Sequence, residues 1–268
     1  MFFIFKKLRR SFFLPGKVRT YVAYAIGEIV LIVLGILIAV QIGNWNTSRG
    51  ERKLAENYKT QLIANLERDV VQQDFLIEMV SIRLELIDFM LRVADEPELA
   101  LEHPVKFMMG VEYSGRTTRT PVIVDTFEEL QSTGYLRLLD EEIKRRLFTY
   151  YNREERLQFR NDKNTVEEMK YHELSMNVLN KEQKIWLHDK YGGSLFPSEF
   201  RDAVSASYDA KVIFEAAQRL SLDKELIDWL GTFRRSKVAM IGTVTGSRGL
   251  AEELIELLGG TSPQNDSE

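Results

Sequence analysis

The chain has 268 residues, a formal net charge of −4 and no cysteine. Without cysteine there is no disulfide, no thiol nucleophile and no zinc–thiolate site; a slightly acidic balance without a basic face argues against nucleic acid as a partner. Only six prolines and sixteen glycines, in a chain rich in Glu, Leu, Lys and Arg, favour an all-α fold, and the length allows a membrane anchor plus one or two modest domains.

Residues 1–20 read as a basic leader. Met1–Phe13 mixes aromatics with Lys6, Lys7, Arg9 and Arg10. Such a segment suits a short helix lying in the membrane interface, with its cations towards anionic headgroups. The alternative is a basic leader without fixed structure. Pro15-Gly16 reads as a break before the next element.

Residues 21–46 read as a transmembrane helix. Val22–Ile42 carries one charge, Glu28, and one other strongly polar residue, Gln41. A helix of that length spans roughly 30 Å, the thickness of a hydrocarbon core, and satisfies its own backbone. Tyr21 and Tyr24 at one end, and Asn44 and Trp45 at the other, are the expected interface anchors. The run is too long for a signal peptide and lacks a cleavage site before Asn44. Six cations and no acid precede Tyr21, whereas Arg49, Arg52, Lys53 and Lys59 are mixed with Glu51 and Glu56. That bias predicts a cytoplasmic N-terminus and a helical domain on the far side of a bacterial inner membrane, in the periplasm.

One face of this helix gathers small residues. Glu28, Gly35 and Ala39 fall within about 40° of one another. Ala23-xxx-Gly27 and Gly35-xxx-Ala39-xxx-Gly43 carry the small-xxx-small spacing that lets membrane helices approach closely. Two readings stand: a face that packs on a second copy or a partner helix, or the ordinary frequency of glycine in membrane spans. Glu28 has three: a proton carrier, a partner for a foreign cation, or a side chain snorkelling to the surface about two turns away.

Residues 47–260 read as a helical domain. Asn46-Thr47-Ser48 offers caps, and Ser48 with Glu51 fits a capping box; the membrane helix either ends there or runs on. Leu54, Tyr58, Leu62, Leu66 and Val70, then Ile77, Val80, Leu84, Ile87 and Leu91, form a bundle stripe that Glu96-Pro97 ends. Asp95–Pro121 reads as irregular, with a short helix at Val105–Val111. Arg116 and Arg119 there suit a solvated loop or, as the lesser reading, an anion contact. Within Val122–Asp140, Asp125 or Thr126 caps a short helix that points Phe127 and Leu130 inward, and Gly134 terminates it. Asp140 caps a long helix over Glu141–Asn180, whose charged middle is a solvated face or a polar groove around Asn152, Arg153, Arg156 and Arg160. Lys181–Phe200 is a connection with a short helix near Ile185–Lys190. A helix over Tyr208–Leu220 follows. Asp223 caps the last, with Leu226, Trp229 or Leu230, Phe233 and Ile241 buried, and Gly242, Gly246 and Gly249 marking close packing or a kink. Residues 261–268 read as a disordered tail.

His103, His172 and His188 show no ligand spacing, and no nucleophile elbow, zincin or nucleotide loop occurs. No catalytic, cofactor or metal residue is nominated, and the expectation is a protein that is not an enzyme.

The stretch YAIGEIVLIVLGILIAVQIGNWN, Tyr24–Asn46, resembles the signature of an uncharacterised bacterial family of single-pass membrane proteins. Thr126–Asn152 is similar to that family's second recurring block. The resemblance implies a membrane protein and no particular activity. It makes Glu28, Gln41, Asn44 and Trp45 the best candidate positions, beside the packing face of Gly27, Gly35, Ala39 and Gly43. The expected role is a scaffold or sensor-like protein whose partners are the lipid bilayer and either a second copy or another membrane protein. The alternative is a subunit of an ion-driven or channel complex that uses Glu28.

Overall fold

The computed structural model describes residues 15–118, 122–191 and 207–261, and every regular element among them is helical. The Met1–Phe13 leader, Arg119 and residues 262–268 lie outside the described residues. The chain divides into two units, Met1–Asn57 and Tyr58–Glu268.

Helix α1 spans Pro15–Asp95. Pro15-Gly16 is therefore not a break. Proline opens the helix, where its missing N–H is not needed and its fixed φ suits the first turn. The Asn46–Ser48 stretch lies inside α1 too, so the Ser48–Glu51 capping box is not formed. Thr47 Oγ1 instead donates to the Gly43 carbonyl, 3.1 Å away in the preceding turn.

In the first unit the large apolar side chains from Val22 to Ile42 are exposed. This is one helix long and apolar enough to cross a membrane.

In the second unit α1 supplies the stripe Tyr58, Leu62, Leu66, Val70, Val80 and Ile87, all buried. Ile77, Leu84 and Leu91 are only half-buried; their neighbours Leu76, Arg83 and Met90, also seven apart, hold the core positions.

The segment from Leu99 to Tyr113 is largely helical, not irregular, and it contains the short helix expected at Val105–Val111. It forms α2 (Leu99–Glu102) and α3 (Pro104–Tyr113), and every α3 residue except Glu112 is buried. A helix enclosed on all sides loses its polar face and with it the period that betrays a helix. Pro104 sits in the first turn of α3, where it opens rather than breaks it.

Helix α4 is Asp125–Ser132, with Phe127 and Leu130 inward. Its cap position is Val124, so neither Asp125 nor Thr126 caps it; Thr126 Oγ1 is buried and accepts from Asn65 Nδ2 at 2.8 Å. Gly134, at φ +72°, turns the chain into a 3-10 segment, Tyr135–Leu138, in a left-handed conformation that costs glycine nothing.

Helix α5 is Glu141–Ser175. Asp140 stands at its start with extended backbone but makes no side-chain cap bond. The helix stops short of Asn180 because Asn180 opens the next one. Its Oδ1 accepts from Gln183 N, and Gln183 Oε1 accepts from Asn180 N, both at 2.8 Å. This reciprocal capping box starts α6 (Lys181–Tyr191).

Asp209 caps α7 (Ala210–Leu222), and Asp223 caps α8 (Lys224–Leu258) by accepting from Leu226 N at 3.0 Å. Gly242, Gly246 and Gly249 do not interrupt α8. The helix ends at Gly259, φ +92°, where Gly260 N donates to Ile255 O and Gly259 N to Glu256 O, a Schellman closure.

The main core joins the 82–93 stretch of α1 to α2, α3, α7, Tyr171, Leu187 and the first turns of α8. A smaller cluster joins Leu76 and Val80 to Met240 and Val244. Helix α8 lies along α5.

Candidate functional site

The residues singled out from sequence all lie on α1. Tyr21, Tyr24, Gly27, Glu28, Gly35, Ala39, Gln41, Gly43, Asn44 and Trp45 are exposed. A Cβ added at Gly27, Gly35 or Gly43 would meet nothing within 4 Å. This surface is open along its small residues.

Of the two readings of the charged middle of α5, a solvated face or a polar groove, Arg153 fits neither. Its Nη2 donates to the Thr243 carbonyl at 3.1 Å and lies where a Cβ at Gly246 would stand, 2.4 Å away. Gly246 thus makes room for this cation, and Arg153 ties α5 to α8. The side chains of Arg156 and Arg160 lie outside the described residues. His172 and His188, distant in sequence, come to one cleft of about 300 Å³, lined also by Glu112, Tyr113, Arg116 and Asp189.

Two buried polar clusters escaped the sequence. The first crosses the bundle between α1 and α5. Asp69 is 1% exposed. Its Oδ2 accepts from the Tyr150 hydroxyl at 2.9 Å, its Oδ1 from Ile123 N at 3.2 Å, and Gln73 Nε2 donates to the same Tyr150 oxygen at 3.2 Å. Burial pushes the Asp69 carboxyl up to about 6, against the lowering pull of the Ile123 amide and Tyr150. Tyr151 alongside is pushed well above the usual tyrosine range, by burial first and the Asp69 charge second. Its ring stacks on Phe127 with centroids 4.2 Å apart.

The second cluster is cationic. Arg83 of α1 is 6% exposed and Lys237 of α8 is 2% exposed. Lys237 Nζ donates to the Arg116 carbonyl at 3.4 Å. Arg83 Nε and Nη1 are buried without a hydrogen-bond partner. On α5, Glu168 Oε2 accepts from Thr117 Oγ1 at 2.5 Å and from Thr117 N at 3.3 Å. Burial lowers Arg83 to about 10, with Arg116 adding to it and Glu168 opposing. Burial also lowers Lys237 to about 8, helped by Arg83 and opposed by Glu168 and Glu167. Among the described residues, neither cation has the hydrogen-bonded carboxylate that normally accompanies a buried charge.

A signal for both clusters existed in the spacing. Asp69 and Gln73 continue the Leu62–Leu66 stripe, and Lys237 falls between Phe233 and Met240 on the buried face of α8. A polar residue on an apolar stripe is the mark of a buried one.

Among known proteins, a family of unknown function (DUF6090) matches residues 28–100, which contain Glu28, the small-residue face from Gly35 to Gly43, Asp69 and Arg83. No curated protein and no solved structure matches the chain.

Proposed function

We propose that the protein is held in a bacterial inner membrane by the apolar stretch of α1, with its N-terminus cytoplasmic and its helical domain periplasmic. There it acts as a non-enzymatic scaffold or sensor-like protein through self-association or a membrane partner. The observation that carries this reading is the exposure of the large apolar side chains from Val22 to Ile42. Moving thirteen such Val, Leu and Ile side chains from water into lipid is worth on the order of 20 kcal/mol. One ionisable residue, Glu28, opposes this by only about 3 kcal/mol on insertion scales. Lipid wins by a wide margin. The open small-residue face supports association, because in lipid close backbone approach rather than hydrophobicity drives helix pairing. The alternative role, an ion-driven or channel subunit, rests on Glu28 lying exposed within that stretch.

Paired reporters test the reading. A C-terminal phosphatase that folds only outside the cytosol should be active and a C-terminal fluorescent protein dark, with the chain resisting alkaline extraction from membranes. The opposite reporter pattern overturns the orientation, and release into the alkaline supernatant overturns the anchor. Purification in mild detergent, with measured mass and identified companion chains, then separates self-association from a foreign partner.

A further inference from the structure

We propose that Arg83 and Lys237, converging on the Arg116–Thr117 turn, form a binding site for a small oxyanion of the phosphate or carboxylate kind. The inference stands on the helical domain alone and does not depend on the membrane reading.

Among the described residues, Arg83, Lys237 and Arg116 gather here against Glu168, Glu167 and Glu112. Two of the carboxylates spend hydrogen bonds on other groups, although Glu168 still acts through space on both buried cations. Glu112 pairs with the Arg116 guanidinium at 3.2 Å, and Glu168 holds the Thr117 amide and hydroxyl. Glu167 reaches Lys237 only through space. Arg83, more than nine-tenths buried, is left with two guanidinium nitrogens, Nε and Nη1, that find no acceptor, and a second buried cation repels it.

An arginine in that condition is an incomplete pair. A water molecule can take one N–H bond but brings no charge to offset two desolvated cations. A small oxyanion supplies both the acceptors and the charge, and guanidinium geometry matches carboxylate and phosphate oxygens. Arg116, whose carbonyl takes the Lys237 bond, also lines a cleft of about 300 Å³ together with Glu112 and Asp189. A macromolecular or bulky ligand does not suit cations this deeply enclosed. The lowered affinity of Lys237 for its proton adds a pH signature: the site should weaken above about pH 8 as that charge is lost.

The test uses the full chain in mild detergent. Thermal unfolding is followed while inorganic phosphate or acetate is titrated at constant ionic strength with chloride, and binding is measured by calorimetry. A ligand of the native state raises the melting temperature along a saturating curve. The expected result is such a curve for at least one probe, weakened at least roughly tenfold in Arg83→Met and in Lys237→Met. Both variants keep long side chains and remove a charge that burial disfavours, so both should fold. Arg248→Met, remote from the cluster, should bind as the natural chain does. Absence of a saturable response to either probe overturns the site. So does a response equal in Arg83→Met and the natural chain. Should Arg83→Met fail to fold, Lys237→Met alone decides on the same criterion.

Discussion

The Tyr150 hydroxyl donates to Asp69 Oδ2 across 2.9 Å of the bundle interior. The carboxyl it meets holds its proton up to about pH 6 instead of the usual 3.8. An acid whose affinity for a proton rises on folding makes the folded state bind more protons between those two values. Stability from this group is therefore fully present below about pH 3.8 and is lost as pH rises through 6. At 1.36 kcal/mol per unit, the loss is about 3 kcal/mol. Urea unfolding of the natural chain and of Asp69→Asn, measured from pH 4 to 7.5, should give a stability difference that moves in favour of Asn as pH rises. A difference that stays flat with pH refutes the shifted carboxyl.

Gly115 faces the Tyr171 ring so closely that an added Cβ would lie 2.0 Å from its Cδ1. The ring cannot retreat, because its hydroxyl donates to the Gly110 and Val111 carbonyls, each at 3.1 Å. Gly115→Ala should cost about 2 kcal/mol by overpacking. Tyr171→Phe should cost about 1 kcal/mol for the lost hydrogen bond. Circular-dichroism melts rank the two, and an unchanged melt for Gly115→Ala contradicts the contact.

Phe107 lies fully buried in α3, inside the short helix that the sequence suggests at Val105–Val111. Phe107→Ala should destabilise the helical domain by roughly 3–5 kcal/mol, the cost of an emptied aromatic site. Denaturant midpoints report it. A loss under about 1 kcal/mol, typical of surface positions, would remove α3 from the core.

The absence of cysteine makes single-cysteine crosslinking clean at the membrane face. With a cysteine at position 32, the pair Gly35→Leu and Ala39→Leu should lower disulfide-linked dimer several-fold if that face pairs copies. Equal dimer yield assigns association to another surface.

Glu28→Gln removes the one charged side chain between Val22 and Ile42. Under the scaffold reading, the chains that copurify and the dimer yield should stay the same. Loss of a multi-span partner on this change alone would favour the ion-driven alternative.

What could be read from sequence followed physical signals that act locally. The apolar length of Val22–Ile42, the stop at Pro97, the turn at Gly134 and the cap at Asp223 each need only a few neighbouring residues. What escaped depends on tertiary surroundings. Helix α3 has no polar face to set a period, so Val105–Val111 shows only part of it. The apolar spacing carries α5 on to Asn180, whereas the Asn180–Gln183 capping box starts a new helix there. Arg83 and Lys237 look like ordinary surface cations until one sees that Leu76, Met90, Phe233 and Met240 on the same stripes are buried.

The polar layer at Asp69 also fixes how α1 is phased against its neighbours. A row of Leu62, Leu66 and Val70 at every fourth place looks nearly the same after a slip along the helix axis. A slip of seven residues, about 10 Å, would bring Leu62 or Leu76 to the place of Asp69. The Ile123 amide and the Tyr150 hydroxyl would then face a hydrocarbon side chain with nothing to accept their protons. One carboxylate that costs stability above pH 6 thus leaves the leucine row a single vertical alignment.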